Sequence, residues 1–525
     1  MRNKYKPLFL AFMIAIAGNP LSAQNEVDAA RLSAFTSTGT ARSLGMGGAF
    51  SAVGADYSSA WLNPAGLALY RRSEFMFTPG LGFIGNEANY SGQTARAKTA
   101  NFGLKNAGYV YSSAVKSAGS KDSKTGFNSF AFSIGFNQIS NYIRNTAISS
   151  YNSHNSITQF FADRAAGYSA SNLAQDGGYP GSAFTAYLIN PDTNGSGTTW
   201  LPAVPGGNVT QNIEIVEKGR NNEWNIGLAG NVGDFFYIGG AIGIQQLSYT
   251  QELYYQEKDL ANVHVNETMD STAFNNLEMF DYFKTTGSGF NARLGVIFKP
   301  VDFLRIGLSA QSPTWLNLKD LYYTELSATF DNDPNTYGIP TDKIGEGSFS
   351  YNLTTPFKVT AGAMVIIKKI GFISADVDYT DYSTASFSSD NSPLSGGYVS
   401  FTTPNGKIRK YFAPGINLRV GGELRIDMFR LRAGFANFSP ILTENGLKTK
   451  DLNTNESISV NGNRRIYSGG FGIKLESFYI DLAILREAFE DWRYFYSIAD
   501  VNQTSPSLIN KKTTISTILT IGFTF

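Results

Sequence analysis

The feature that most constrains this chain is a set of long alternating runs that keep charge on one parity. Phe130, Phe132, Ile134 and Phe136 alternate with Ala131, Ser133, Gly135 and Asn137. Trp224, Ile226 and Leu228 alternate with Asn225, Gly227 and Ala229. Phe290, Ala292, Leu294, Val296 and Phe298 alternate with Asn291, Arg293 and Gly295, and Leu304, Ile306 and Leu308 with Arg305, Gly307 and Ser309. Phe357, Val359, Ala361, Ala363 and Val365 alternate with Lys358, Thr360 and Gly362. Ile416, Leu418, Val420, Leu424 and Ile426 alternate with Asn417, Arg419, Glu423 and Arg425. Side chains along a strand point to opposite faces, so each run has one apolar face and one face that tolerates charge. The runs exceed the usual strand of ~5–6 residues in soluble domains. A charge on a lipid-facing position costs ~2–4 kcal/mol near the bilayer midplane, which explains why the apolar parity excludes it.

The pattern predicts an all-β protein, a transmembrane antiparallel β-barrel. About fourteen strand-like runs are expected, centred near residues 78, 106, 132, 227, 241, 294, 307, 361, 376, 420, 433, 470, 482 and 519. An even count places both ends of the sheet on the same side of the membrane. Short connections at Gly233-Asp234, Lys299 to Asp302 and Asp427-Met428 read as periplasmic turns. Long polar segments read as extracellular loops: Gln138 to Arg220, Gln251 to Gly287, Ser312 to Ser350, Asp381 to Lys410, Phe438 to Asn463 and Arg486 to Lys512. The first of these carries a helical pattern over Ser156 to Ala166, with Ile157, Phe160, Phe161 and Ala165 on one face.

The first residues assign the compartment. Arg2, Lys4 and Lys6 precede an apolar stretch from Leu8 to Gly18, and Leu21-Ser22-Ala23 supplies a small residue for cleavage. This is the layout of an export signal, and its apolar run is shorter than the ~20 residues of a membrane-spanning helix. The chain has 525 residues and no Cys, so disulfides, thiolate metal sites and Cys nucleophiles are excluded. Charged residues are 16%, against ~25% in soluble domains, while aromatics reach 14%. A net charge of +1 gives no argument for nucleic acid. An exported, aromatic-rich, charge-poor chain fits an outer-membrane barrel of a Gram-negative bacterium.

Between the leader and the strands lies a compact Gly-rich stretch, Ala41 to Leu69. Its residues Gly45-Met46-Gly47-Gly48-Ala49 and Trp61-Leu62-Asn63-Pro64-Ala65-Gly66-Leu67 resemble the start of the FadL-type outer-membrane channels, the long-chain fatty acid and toluene (TodX-like) transporters. Ser374 to Tyr379, Val420 to Arg425 and Leu431 to Phe435 extend the resemblance, to a member of the Bacteroidetes-like kind, toward the C-terminus. The resemblance implies fourteen strands and an N-terminal hatch folded inside the barrel, hence three parts: a signal peptide 1–23, a hatch 24–72 and a barrel 73–525. Gly45, Gly47, Gly48, Asn63, Pro64 and Ala65 then belong to the hatch, or gate. The closing run of Ile515, Leu519, Ile521, Phe523 and Phe525 resembles the assembly signal read by the barrel-assembly machinery.

Chemistry along the chain is sparse. His154 and His264 have no ligand-spaced partner, so no metal site is expected. Ser153 beside His154 carries no evidence of a nucleophile, because a triad is defined by geometry, and the chain is expected not to be an enzyme. Asp376 and Asp378 share a face with the inward arginines, which points to a charge network propping the hatch. Arg293, Arg305, Arg419 and Arg432 are candidate lumen contacts for an acidic head group, with structural pairing as their competing role. No cofactor is expected.

Two functions follow from the resemblance. One is passive uptake of hydrophobic compounds such as long-chain fatty acids or aromatic hydrocarbons, through an extracellular capture site, a hatch-gated lumen and release through a break in the wall. The other is a docking or shuttle barrel for protein secretion. The expected partners are a hydrophobic small molecule, outer-membrane lipid and lipopolysaccharide, with the protein a monomer.

Overall fold

Fourteen antiparallel strands close into one barrel in the computed structural model, which describes residues 26–34, 37–114, 126–176, 178–192, 197–264, 273–331, 333–338, 344–390, 400–443, 463–496, 498 and 506–525. The expected leader, with its cleavage point near Ala23, lies outside the described residues. The strands are β1 Glu74–Tyr90, β2 Gln93–Ala114, β3 Phe127–Asn141 with its continuation Arg144–Asn152, β4 Val209–Val232, β5 Phe236–Lys258 and β6 Phe274–Val301. Then come β7 Leu304–Gln311 with Trp315–Phe330, β8 Ile344–Thr354 with Lys358–Ile367, and β9 Gly371–Asp381 with Ser386–Ser389. Last are β10 Pro414–Ile426, β11 Phe429–Phe438, β12 Arg464–Lys474, β13 Phe478–Tyr494 and β14 Ser507–Thr524. Each pairs with the next, and β14 returns to β1 from Glu74↔Thr524 to Tyr90↔Leu508. All fourteen expected centres fall within these strands.

The apolar parity faces outward. Phe83, Phe102, Leu228, Ile242, Leu294, Leu308, Val377, Leu418, Leu431 and Ile484 are exposed around the circumference. Aromatic pairs mark both rims of this belt: Phe136–Trp224 and Phe290–Trp315 above, Phe429–Phe471 and Phe478–Phe523 below, with ring centroids 5.0–5.8 Å apart. An apolar band between aromatic girdles is how a barrel meets lipid. Closure pairs the backbone of the first and last strands, as hydrocarbon requires.

Several expected loops are strand. Beyond the belt β6 runs on outward through Ser288, Thr286 and Lys284, and β4 through Asn222, Arg220 and Lys218. Above the lipid both faces meet water or protein, so the apolar parity disappears from the sequence while the hydrogen-bonded ladder continues. The turn expected over Lys299 to Asp302 is likewise shorter, since β6 continues to Val301.

Helices pack over the extracellular end. The expected helix is present as Ile157–Ala165, with Ser156 Oγ accepting from Thr158 N as its N-cap. Phe160 and Phe161 are buried in one cluster with Trp200, Ile213, Leu277 and Phe330. A second cluster forms where helix Thr402–Tyr411 packs beside the N-terminal helix α1, Glu26–Ser33.

Candidate functional site

The N-terminal segment following α1 crosses the inside of the barrel. It comprises α2 Ala41–Gly45, α3 Ser59–Leu62 and a 3-10 turn Pro64–Leu69. Thr40 caps α2 and also donates to Asp56 at 2.9 Å. Asn63 Oδ1 accepts from Ala65 N at 3.2 Å, and Pro64 occupies the first turn, where its missing N–H leaves no bond unmade.

Glycines of the wall receive this segment. Four cross-strand pairs, Gly108↔Gly135, Gly239↔Gly295, Gly307↔Gly362 and Gly421↔Gly434, face inward around the barrel. A Cβ on these residues would collide with Tyr57 at the first pair, with Asn63 or Pro64 at the second, with Ser51 at the third and with Met46 or Gly47 at the fourth. Glycine permits this close backbone approach. Gly47 and Gly48 have φ of 66° and 76°, the left-handed turn that brings Met46 onto the wall.

Ionic contacts fix the segment in place. Asp376 accepts from Phe50 N at 2.8 Å, Ser51 N at 3.0 Å and Ser51 Oγ at 2.6 Å. Arg419 pairs with Asp378 at 2.5 Å and donates to Gly48 O at 2.7 Å. Arg432 joins Glu423 at 2.7 Å and Asp481 at 2.6 Å, and Arg42 reaches the same Glu423 at 3.1 Å. Arg305 donates to Val53 O at 2.8 Å. On the opposite wall Arg293 makes a two-pronged pair with Glu223, at 2.6 and 2.8 Å. Buried charges need such partners.

Above the segment lies a cavity of about 290 Å³. Val27 and Ala30 of α1 and Ala34 just after it, with Leu44, Ile84, Ile139, Ile466, Leu485 and Ile518, give it an apolar lining. Its polar lining includes six cations and three carboxylates: Arg31, Lys105, Arg144, Arg464, Arg493 and Lys512, against Glu217, Glu487 and Asp491. Arg144 pairs with Glu217 and Asp491, Arg464 lies 3.4 Å from Glu487, and Arg31 stacks 4.0 Å over Tyr249. Lys105 donates to the Gln138 side-chain carbonyl at 2.9 Å, and the Lys512 ammonium sits 5.2 Å from the Phe489 ring centre. Neither lysine has an acidic partner within 4 Å among the described residues. None of Arg293, Arg305, Arg419 and Arg432 lines this cavity. Arg293, Arg419 and Arg432 sit in ion pairs away from it, and Arg305 on the Val53 carbonyl.

At the same height the wall is interrupted. β2 pairs with β3 only from Asn106↔Asn137 to Ala114↔Ser129. Above that point β3 shifts register between Gln138 and Ser140 and keeps only β4 as its partner. Its continuation turns inside the β1–β2 hairpin, where Asn86 Nδ2 donates to Thr146 Oγ1 at 2.7 Å. Lys105 is the unpaired residue of a bulge, since Thr78 faces Asn106 and Pro79 faces Leu104. The bulge aims Lys105 into the cavity. Asn101 and Lys105 on one side of the gap, and Gln138 to Tyr142 on the other, all line the cavity.

A Pseudomonas aeruginosa FadL homologue of known structure aligns over 94% of this chain and 99% of its own, at 16% identity and a TM-score of 0.50. The chain has the FadL-type fold. The Pseudomonas putida toluene transporter TodX aligns over 93% of this chain and 99% of its own at 14% identity, with a TM-score of 0.49. No protein-family model and no curated protein matches the chain. Within the FadL-type barrel the two histidines are peripheral. His154 Nδ1 is 3.1 Å from Ser153 Oγ on the exposed surface, and His264 Nε2 is 2.6 Å from Gly207 O. Sequence reasoning missed the cavity cations, because nothing in the alternation separates an inward charge that props the segment from one that lines open space.

Proposed function

We propose that this barrel is an outer-membrane channel for passive uptake of hydrophobic compounds, with the cavity as its binding site and the β2–β3 gap as its exit toward the membrane. The observation that carries this reading is the coincidence of the two: the cavity is lined by both edges of the wall interruption. The FadL-type fold agrees with it. Residues 24–72 act as the hatch, held by the glycine pairs and by Asp376, Arg419 and Arg432. A solute leaving through the gap passes a mostly polar edge into the hydrocarbon of the membrane, and transfer of an acyl chain into apolar surroundings gains ~0.8 kcal/mol per CH₂. Lys105 and Lys512, which have no acidic partner within 4 Å among the described residues, suit a ligand whose apolar body carries one anionic head.

The test is native mass spectrometry of barrel purified from outer membranes in detergent, with oleate or toluene added. One-to-one binding of oleate, displaced by a competing fatty acid, supports the reading. An empty barrel that binds neither ligand and retains a secreted protein overturns it in favour of the docking role.

A further inference from the structure

The outer face of the barrel changes character in layers above the lipid belt. On β4, β6 and β7 the upper girdle is marked by the outward rings of Trp224, Phe290 and Trp315. Four to six residues farther out along the same faces stand Arg220 and Lys218, Lys284, and Lys319. At ~3.4 Å per residue and a strand tilt of ~40°, these cations lie about 10–15 Å above the girdle. The outward positions between them and the girdle, Asn222, Gln246, Ser288 and Asn317, are uncharged. Lys218 reaches Glu252 at 3.4 Å, while Arg220, Lys284 and Lys319 have no acid within 4 Å among the described residues.

Above the cations this face turns aromatic. Tyr254 of β5, Phe280 and Tyr282 of β6 and Tyr323 of β7 form one outward cluster, with Tyr254 exposed and the others half-buried. Ring centroids are 4.5 Å apart for Tyr254–Phe280, 6.0 Å for Phe280–Tyr323 and 5.0 Å for the stacked pair Tyr282–Tyr323. Tyr282 lies eight residues beyond Phe290, which is roughly 20 Å above the girdle. Three of the rings face a glutamate directly across the ladder: Tyr254 faces Glu214, Phe280 faces Glu325 and Tyr282 faces Glu252. Cross-strand ring pairs steady any sheet, yet the cluster is confined to this sector. The β1–β2 hairpin also extends above the belt, with Gly85, Glu87, Arg96 and Lys98 outward and no ring among them.

The order of the layers selects the occupant. A molecule that fits is apolar at the belt, anionic just above it, and farther out presents C–H faces with hydroxyls at their edges. The C–H face of a sugar ring packs on the electron-rich face of an aromatic ring. Its hydroxyls donate to carboxylates, and the same glutamates repel a phosphate at that level. We infer that this sector of β4 to β7 binds lipopolysaccharide of the surrounding outer leaflet, with phosphates on Arg220, Lys284 and Lys319 and the sugar chain on the aromatic cluster. The inference rests on the outer-membrane reading above and is independent of what the lumen carries.

The test uses the full-length barrel in detergent, incubated with equal amounts of two lipopolysaccharides and analysed by native mass spectrometry. One carries the complete core oligosaccharide, and the other, a deep-rough form, keeps the phosphates and lacks the outer sugars. Wild type is expected to retain the complete form over the deep-rough form by on the order of tenfold, the size of a few ring contacts. Y254A/F280A/Y282A is expected to lose that preference, and Y254F/Y282F, which keeps the rings, to retain it. K284Q/K319Q is expected to weaken both forms alike, because both carry the phosphates. Gel mobility before and after heating checks that all variants are folded barrels. Equal retention of the two forms by wild type overturns the proposal, as does an unchanged preference in the folded ring variant or undiminished binding in K284Q/K319Q. Loss of a co-purifying protein from the ring variant, with lipopolysaccharide unchanged, overturns it in favour of a protein-docking surface. Oleate binding is measured alongside. A wild type that binds oleate without the sugar preference fails this inference alone, and one that keeps the preference without binding oleate fails the uptake reading alone.

Discussion

Asp376 on β9 holds both the backbone and the hydroxyl of Ser51, 325 residues earlier in the chain, through bonds of 3.0 and 2.6 Å. Phe50 N completes the set at 2.8 Å, so one buried carboxylate accepts three hydrogen bonds from the segment that fills the barrel. Removing one side of a buried charged arrangement costs roughly 3–5 kcal/mol. Asp376→Asn is therefore expected to loosen the N-terminal segment while the wall persists. In planar bilayers the variant should show a raised baseline conductance with heat-modifiable gel mobility retained. A closed, wild-type conductance would show that Asp376 does not hold the segment.

Two glycines of the wall separate close approach from mere small size. Gly434 faces inward against Met46 and Gly47, whereas for Gly469, on the neighbouring strand, an added methyl would meet Arg432 O at 3.8 Å. Gly434→Ala should lower the guanidinium unfolding midpoint by the equivalent of about 1–3 kcal/mol, the usual cost of overpacking. Gly469→Ala should leave it nearly unchanged. Equal effects would mean that the docking surface is not tightly packed.

Arg293 and Glu223 form a buried two-pronged pair, supported by Asn291 at 3.1 Å and Gln245 at 3.2 Å from Glu223. Arg293→Met alone strands the carboxylate and should cost roughly 3–5 kcal/mol, while Arg293→Met with Glu223→Met should recover much of the loss. A double variant no more stable than the single one would count against the pairing as the source of the effect.

The extracellular helices carry a pH dependence of defined sign. Asp281 lies beyond the apolar belt, seven residues outward of Ser288, and accepts from Thr324 at 2.6 Å and Tyr179 at 3.2 Å. Burial pushes its carboxyl up from 3.8 to about 6, with the two hydroxyl donors opposing the shift. Between these values the folded state holds a proton that the unfolded state has released, so stability falls as pH rises through that window. Protection factors of the amides in helix Tyr179–Thr185, corrected for the base-catalysed rise of intrinsic exchange, should be larger at pH 5 than at pH 7.5, and Asp281→Asn should abolish the difference. The opposite trend in wild type would refute the assignment.

Gly82 lines the cavity with open space above it, since a methyl there would meet nothing nearer than Ser516 Oγ at 3.6 Å. Gly82→Phe is expected to fill the site and remove oleate binding in the native mass spectrum with folding intact. Lys105→Gln with Lys512→Gln should weaken oleate roughly tenfold and leave toluene unaffected, because only the head group loses partners. Retained oleate binding in Gly82→Phe would place the ligand elsewhere.

Much of this was legible in the sequence by itself. Alternation is local, and the membrane penalises charge one residue at a time, so the runs around Phe132, Leu294 and Val420 located every strand without knowledge of its neighbours. Ser156 as a cap and the apolar face of Phe160 and Phe161 are equally local signals. Strand extensions such as Phe274 to Gly289 were hidden, because above the lipid no single-residue penalty imposes the alternation. The tertiary structure alone decided how inward residues divide the lumen. Register sets Gly307 opposite Gly362 and Gly421 opposite Gly434, and only closure of the sheet brings Arg419 onto the segment and Lys512 onto the cavity. Residues with the same parity and chemistry receive different roles there, because height along the barrel and the neighbour across the ladder are properties of the closed sheet.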